Sequence, residues 1–257
     1  MGERLIRDLL DAVDRGEPVV LATVVETRRS VPRHPGSKML VFADGRTAGT
    51  IGGGEMEARV RAEAADALAA GRPRLIRFEL VDPAQGDPGV CGGEVSVYLE
   101  PYMPTPTVYV VGCGHVGSAV VELAHWLGFR VVAYDDRAEL VADDLLPLAD
   151  VRLSGDLAEA IATEPIHAET HVVVLTRNMG LDLQLLPVLL QTEARSVGVM
   201  GSARRWATTR TKLIEQGVAD ERLDRVLSPI GLELQAETPQ EIAVSILAEI
   251  VALRRGA

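Results

Sequence analysis

Cysteine is nearly missing from this chain: Cys91 and Cys113 are its only two in 257 residues, with neither metal-finger spacing nor the density of a disulfide framework. A reduced, cytoplasmic setting is the expectation. An excess of positive charge is missing too. With 26 Lys and Arg against 37 Asp and Glu the formal charge is -11, which argues against broad binding to nucleic acid or to an anionic membrane, since both call for clustered cations. No apolar run reaches the ~18 to 20 residues of a membrane span. The amino-terminal stretch MGERLIRDLLDAVDRGEP is charged throughout and lacks the apolar core of a signal peptide. His34, His115, His125, His167 and His171 are scattered, and no Gly-x-Ser-x-Gly elbow occurs. Neither a histidine zinc site nor a hydrolase triad is therefore supported. No internal repeat or low-complexity segment is evident. The expectation is a soluble protein whose partners are small molecules or other proteins.

The length suits one large domain or two ordinary ones. Leu5, Ile6, Leu9, Leu10 and Val13 follow helical spacing until Gly16 and Pro18 end the pattern. Residues 19–27 and 38–42 read as strands joined by the basic loop RRSVPRHPGS, which carries Arg28, Arg29, Arg33 and His34. Residues 47–51 read as a returning strand after the Asp44-Gly45 turn. An Ala-rich helix over 55–70 and strands over 74–80 and 94–100 complete a mixed α/β domain, residues 1–102. Pro101, Pro104 and Pro106 then mark a short stiff connection. In residues 103–257 strand and helix patterns alternate, with strands at 149–153, 171–176 and 196–200 and helices at 181–191, 208–216 and 239–254. That order predicts a Rossmann-like doubly wound parallel sheet. Thr238, Pro239 and Glu241 form a capping-box signal for the last helix.

The most informative segment is VYVVGCGHVGSAVVELAHWLGFRVVAYDDR, residues 108–137. It combines a buried strand, a Gly-x-Gly-x-x-Gly turn, a helix and a second strand ending in acids, the layout of a dinucleotide-binding unit. Gly112 permits the tight turn, Gly114 lets backbone approach a diphosphate, and Gly117 lets the helix pack on the strand. His115 and Val116 begin the helix, whose free amides would face an anion. Asp135, with Asp136 and Arg137 after it, is placed to meet a ribose. The fingerprint leaves the chemistry open, because such a fold holds a redox coenzyme, a regulatory nucleotide or no ligand at all.

Other candidates lie elsewhere. Cys91 sits in the glycine-surrounded loop GDPGVCGG, where a thiolate would be a soft ligand for molybdenum or copper and an ordinary small buried cysteine is the plain alternative. Gly52, Gly53 and Gly54 precede a helix and form a second candidate anion cradle, although Glu55 and Glu57 would oppose an anion there. Thr176 ends one strand of the sheet, and Gly201, Ser202, Arg204 and Arg205 follow another, at the edge where open α/β sheets bind ligands. Adjacent arginines there would clamp a phosphate. No catalytic acid or base is identifiable.

With these pieces in place the chain resembles the xanthine dehydrogenase accessory factor family, also called XdhC/CoxI. The resemblance is carried by SVPRHPGSKMLV, GTIGGGEMEARV, VCGGEVSVYLEPY, VYVVGCGHVGSAV, VVAYDDR, VVVLTRN, GVMGSARR and SPIGLELQAETPQEIAVSILAEI. It implies an amino-terminal domain joined to a Rossmann domain, and a role in maturing molybdenum hydroxylases. That role comprises binding the molybdenum cofactor (molybdopterin), assisting its sulfuration with a cysteine desulfurase, and delivering it to the apoenzyme. The cysteine of the family associated with the cofactor maps onto Cys91. Related proteins often carry a cysteine in the glycine loop before the first-domain helix, where this chain reads Gly52-Gly53-Gly54-Glu55. That leaves no sulfur ligand in that loop. The alternative function is an NAD- or NADP-dependent oxidoreductase, and a homodimer is expected for a chain of this kind.

Overall fold

The computed structural model describes residues 2–29, 31, 33–79 and 93–255. The chain divides into two compact units, Met1–Pro104 and Thr105–Ala257. In the first, helix α1 (Gly2–Asp14) is followed by strands β1 (Val19–Arg28), β2 (Lys38–Phe42) and β3 (Thr47–Gly49), helix α2 (Gly54–Ala70), and strands β4 (Arg74–Glu79) and β5 (Glu94–Tyr102). The strands form one antiparallel sheet in the order β3-β2-β1-β5-β4. Alternation along β1 and β2 sends side chains to both faces. Val20, Ala22, Val24, Met39 and Val41 meet Met56, Val60, Ala64 and Ala67 of α2. Val19, Leu21, Leu40 and Phe42 meet Leu5, Leu9 and Ala12 of α1. The sheet is thus covered on both faces, which explains why its central strands read as unbroken apolar runs.

Strand β3 stops at Gly49, short of the predicted end at Ile51. Gly49 has φ +80°, and a Cβ there would lie 2.6 Å from the Lys38 carbonyl oxygen. The chain therefore leaves the sheet at a position only glycine accommodates.

The second unit runs β6 (Thr107–Val111), α3 (His115–Trp126), β7 (Arg130–Asp135), β8 (Val151–Ser154), α4 (Leu157–Thr163), β9 (Thr170–Val174), α5 (Met179–Leu189), β10 (Ser196–Val199), α6 (Ala203–Glu215), α7 (Asp220–Leu223), β11 (Val226–Leu227) and α8 (Pro239–Arg255). All six strands are parallel, ordered β11-β10-β9-β6-β7-β8. This is the doubly wound order, with its switch point between β6 and β9. Helices α3 and α8 cover one face through Ala119, Val120, Ala243, Ile246 and Ile250. Helices α4, α5 and α6 cover the other through Leu157, Leu186, Leu189 and Leu213. The expected fold class is borne out in both units.

Helix α6 begins at Ala203, ahead of the predicted Thr208, because the Ser202 Oγ accepts a hydrogen bond from the Arg205 amide (3.1 Å) and caps it. Helix α4 and the two-residue strand β11 were not legible in the sequence, being too short to show a period.

Candidate functional site

The crevice at the switch point is built by backbone geometry before any side chain contributes. Gly112 turns at φ +105°, and a Cβ there would sit 2.7 Å from the Leu175 carbonyl oxygen at the end of β9. At Gly117 a Cβ would lie 2.1 Å from the Gly112 oxygen. The first and third glycines of the turn therefore have the steric roles expected of them. Gly114 is different: its φ is -72° and a Cβ would meet nothing within 4 Å. It is the N-cap of α3 and supplies no side-chain cap, so the first amides of that helix, those of Gly114, His115, Val116 and Gly117, are free toward the crevice. Their partial positive charge makes this end of α3 attractive to an anion.

Two cavities meet at this turn. One, of about 80 Å³, is lined by Gly112, Gly114, Asp135, Asp136, Thr176 and Arg177. The other, of about 460 Å³, is lined by His115, Ser118 and Cys113 on the α3 side and by Leu140, Leu145 and Leu146 opposite. Gly114 and Arg137 border both. Two chambers of mixed polar and apolar lining thus flank one helix terminus.

Asp135, the residue expected to meet a ribose, is 2% exposed. Its Oδ2 accepts the Cys113 amide (2.8 Å), and its Oδ1 accepts both the Arg137 amide and Nε (3.0 Å each). Both carboxylate oxygens are therefore engaged within the protein, bracing the glycine turn against the end of β7. Asp136 is more open and forms a two-pronged pair with Arg177, at 2.8 and 2.9 Å. The Arg177 guanidinium holds the Asp136 carboxyl down at about 2. This pair joins the ends of β7 and β9.

The arginines after β10 do not act alike. Arg205 donates from Nε and Nη2 to Asp182 Oδ2 (3.2 and 2.5 Å) and from Nη2 to Thr176 Oγ1 (3.1 Å). Thr176 Oγ1 in turn donates to Asp182 Oδ1. Asp182 is fully buried, so Arg205 acts as its counter-charge and ties α5 and α6 to the end of β9. Gly201 packs against that side chain, with a would-be Cβ 3.2 Å from Arg205 Cδ. Arg204 is exposed and has no side-chain partner among the described residues.

In the first unit Gly52, Gly53 and Gly54 all have positive φ, 146°, 82° and 62°. The loop they form is wrapped around Glu57. Its Oε1 accepts Thr50 Oγ1 (2.6 Å), the Gly53 amide (2.9 Å) and the Ile51 amide (3.2 Å). Burial raises the Glu57 carboxyl, but these hydrogen bonds outweigh it and the net shift is downward. Glu57 was expected to oppose an anion in this cradle, whereas its own carboxylate is the anion that the cradle holds. An acid one turn into a helix that follows a glycine loop is the signal that points to such a reach-back.

Cys91 lies outside the described residues. Cys113 is 5% exposed, and burial, followed by the nearby Asp135 charge, pushes its thiol up to about 12. It stays protonated at neutral pH, and its Sγ donates to the Tyr134 carbonyl (3.4 Å). Among the described residues no group of three or more His, Cys, Asp or Glu is placed to hold a metal ion.

Residues 108–250 match the family model described as the XdhC Rossmann domain, and residues 12–79 match that of the XdhC and CoxI family. YqeB of Escherichia coli (strain K12), an uncharacterized protein, is 34% identical over 242 residues, covering 93% of this chain and 44% of YqeB. The chain therefore spans less than half the length of that relative. PaoD of the same organism, a molybdenum cofactor insertion chaperone, is 26% identical over 279 residues, covering 97% of this chain and 88% of PaoD. A crystal structure of a xanthine dehydrogenase from Bacillus halodurans aligns with a TM-score of 0.53 at 22% identity, covering 97% of this chain and 95% of that one. This last likeness speaks for the fold alone.

Proposed function

Because this chain belongs to the XdhC and CoxI family, we propose that it is a maturation factor for molybdenum hydroxylases of the xanthine dehydrogenase type. On this reading it binds the molybdenum cofactor as cargo and delivers it to the apoenzyme, in concert with a cysteine desulfurase. The observation that carries the reading is the match to PaoD along almost the whole of both chains, so that the comparison rests on the two units and not on a shared nucleotide fold.

The geometry of the crevice supports the same class of ligand. The cofactor is an anionic pterin with a terminal phosphate, and the uncapped amides of α3 beside Arg137 suit that phosphate. Leu140, Leu145 and Leu146 provide an apolar wall for a ring system. A redox dinucleotide is served less well, since the acid that would hold its ribose, Asp135, has both oxygens engaged. On this reading the protein sulfur ligand is Cys91, the cysteine to which the family resemblance points. Catalytic turnover is not needed for this role; the chain's residues bind, orient and shield.

The test is cofactor analysis of protein purified anaerobically from a molybdenum-replete host, pairing molybdenum content with release of fluorescent pterin. Wild type is expected to carry molybdenum and pterin in equal amounts, and Cys91→Ala to lose molybdenum while remaining folded. Protein that lacks pterin and co-purifies with NAD or NADP would instead support the oxidoreductase.

A further inference from the structure

The first unit holds a cavity of about 190 Å³ that the crevice of the Rossmann unit does not involve. Leu5 of α1 forms one wall. Arg33, Ser37 and Lys38, at the end of the basic loop between β1 and β2, form a second, and Gly49 with Thr50 closes the third side. Because a Cβ at Gly49 would run into the Lys38 carbonyl oxygen, this wall is bare backbone and the cavity stays open.

In a chain of net charge -11, Arg28, Arg46 and Arg74 of the first unit each rest on carboxylates. Arg33 and Lys38 have no carboxylate partner among the described residues. Lys38 is half-buried, and its Nζ donates only to Thr23 Oγ1 (3.1 Å), which leaves ammonium hydrogens unused. The Oε1 of Glu57 is taken up by Thr50 Oγ1 and by the Gly53 amide of the glycine loop. Both cations therefore keep donors for an added anion.

We infer that this cavity is a second binding site, for a phosphorylated small molecule. Lys38 supplies a point charge, Arg33 a planar fork of donors and Ser37 a hydroxyl, a combination suited to phosphate oxygens. Leu5 supplies an apolar contact. At about 190 Å³ the cavity leaves room beyond a bare phosphate, so the phosphate carries a small organic body. This site is independent of the crevice and of the cofactor reading.

The chain contains only two lysines, Lys38 and Lys212, and Lys212 is exposed on α6, so each can be followed separately by peptide mapping. The full-length protein is treated with pyridoxal 5′-phosphate, whose aldehyde condenses with a lysine amine to release water and leave an imine. Borohydride then reduces the imine to a stable secondary amine. Pyridoxal, which lacks the phosphate, serves as the comparison. The phosphate is expected to favour Lys38 over Lys212 on the order of tenfold relative to pyridoxal, equivalent to about 1.4 kcal/mol. Inorganic pyrophosphate is expected to protect Lys38 alone. Arg33→Ala, at an exposed residue whose loss leaves the fold intact by circular dichroism, removes the preference, and Arg33→Lys keeps part of it. A Lys38 to Lys212 labelling ratio that is the same for both reagents and unmoved by pyrophosphate overturns the site.

Discussion

At the glycine turn, three residues of one type have two different jobs, and substitution separates them. Gly117 is sterically closed, so Gly117→Ala is expected to destabilise the second unit by about 3 kcal/mol, the upper part of the usual range for overpacking. Urea denaturation measures it. Gly114 is sterically open and merely leaves α3 uncapped. Gly114→Asp places a carboxylate over the free amides, which stabilises the helix start by about 1 kcal/mol while excluding a competing phosphate. The expected result is a raised Tm together with loss of pterin from the purified protein. A raised Tm with pterin retained would move the phosphate away from α3. Cys113 offers a third residue-level test: being buried and protonated, it is expected to react with a thiol reagent such as DTNB only after unfolding, and rapid native labelling of this residue would contradict its placement.

Individual elements are held by polar contacts that follow two different patterns. Helix α8 shows the local one. Thr238 Oγ1 accepts the Glu241 amide (3.2 Å), and Glu241 Oε2 accepts the Thr238 amide (2.9 Å). This is the capping box that the sequence TPQE announced. Helices α5 and α6 show the non-local pattern, in which Asp182 and Arg205 pair across 23 residues. Asp182→Ala is expected to cost about 3 kcal/mol, the low end for breaking a buried pair, because the stranded Arg205 still reaches some solvent. Strand β9 carries His171, whose Nδ1 lies 2.8 Å from Ser196 Oγ and whose Nε2 is buried without a hydrogen-bond partner. Burial, then the charges of Arg195 and Arg254, lower this imidazole from 6.5 to about 4. Below pH 6.5 the unfolded chain therefore binds a proton that the folded one refuses until about pH 4. Stability is full above pH 6.5 and falls as the pH drops through that window, by on the order of 3 kcal/mol at most. Denaturation of wild type and His171→Gln between pH 7 and 4 checks this: the difference between them is expected to narrow as the pH falls, and a constant difference would exclude His171.

For the whole molecule, the formal charge is -11 and, among the described residues, no helix is long and apolar enough to cross a membrane. The strands of the first unit and the doubly wound sheet of the second were legible in advance, because each rests on apolar periodicity and on glycines whose φ or close contacts admit no other residue, whereas the antiparallel order of the first sheet came from the structure. Candidate site residues were legible as positions more than as roles. Gly112 and Gly117 make the close contacts their spacing implied and Gly114 is sterically open, while Glu57 reverses from a repelling charge to the anion that fills the triglycine cradle. Arg205, read as a phosphate clamp, is the counter-ion of a buried acid that no local pattern marked as buried. By itself the sequence determined the longer elements, the turn and its family, since helix period, strand alternation and glycine sterics act between residues a few positions apart. Only the tertiary structure decided which charges are available to a ligand. The partners of Asp135, Asp136, Asp182 and Glu57 are chosen by distance in space and by desolvation, so that a carboxylate left without solvent must take the nearest donors, wherever along the chain they come from.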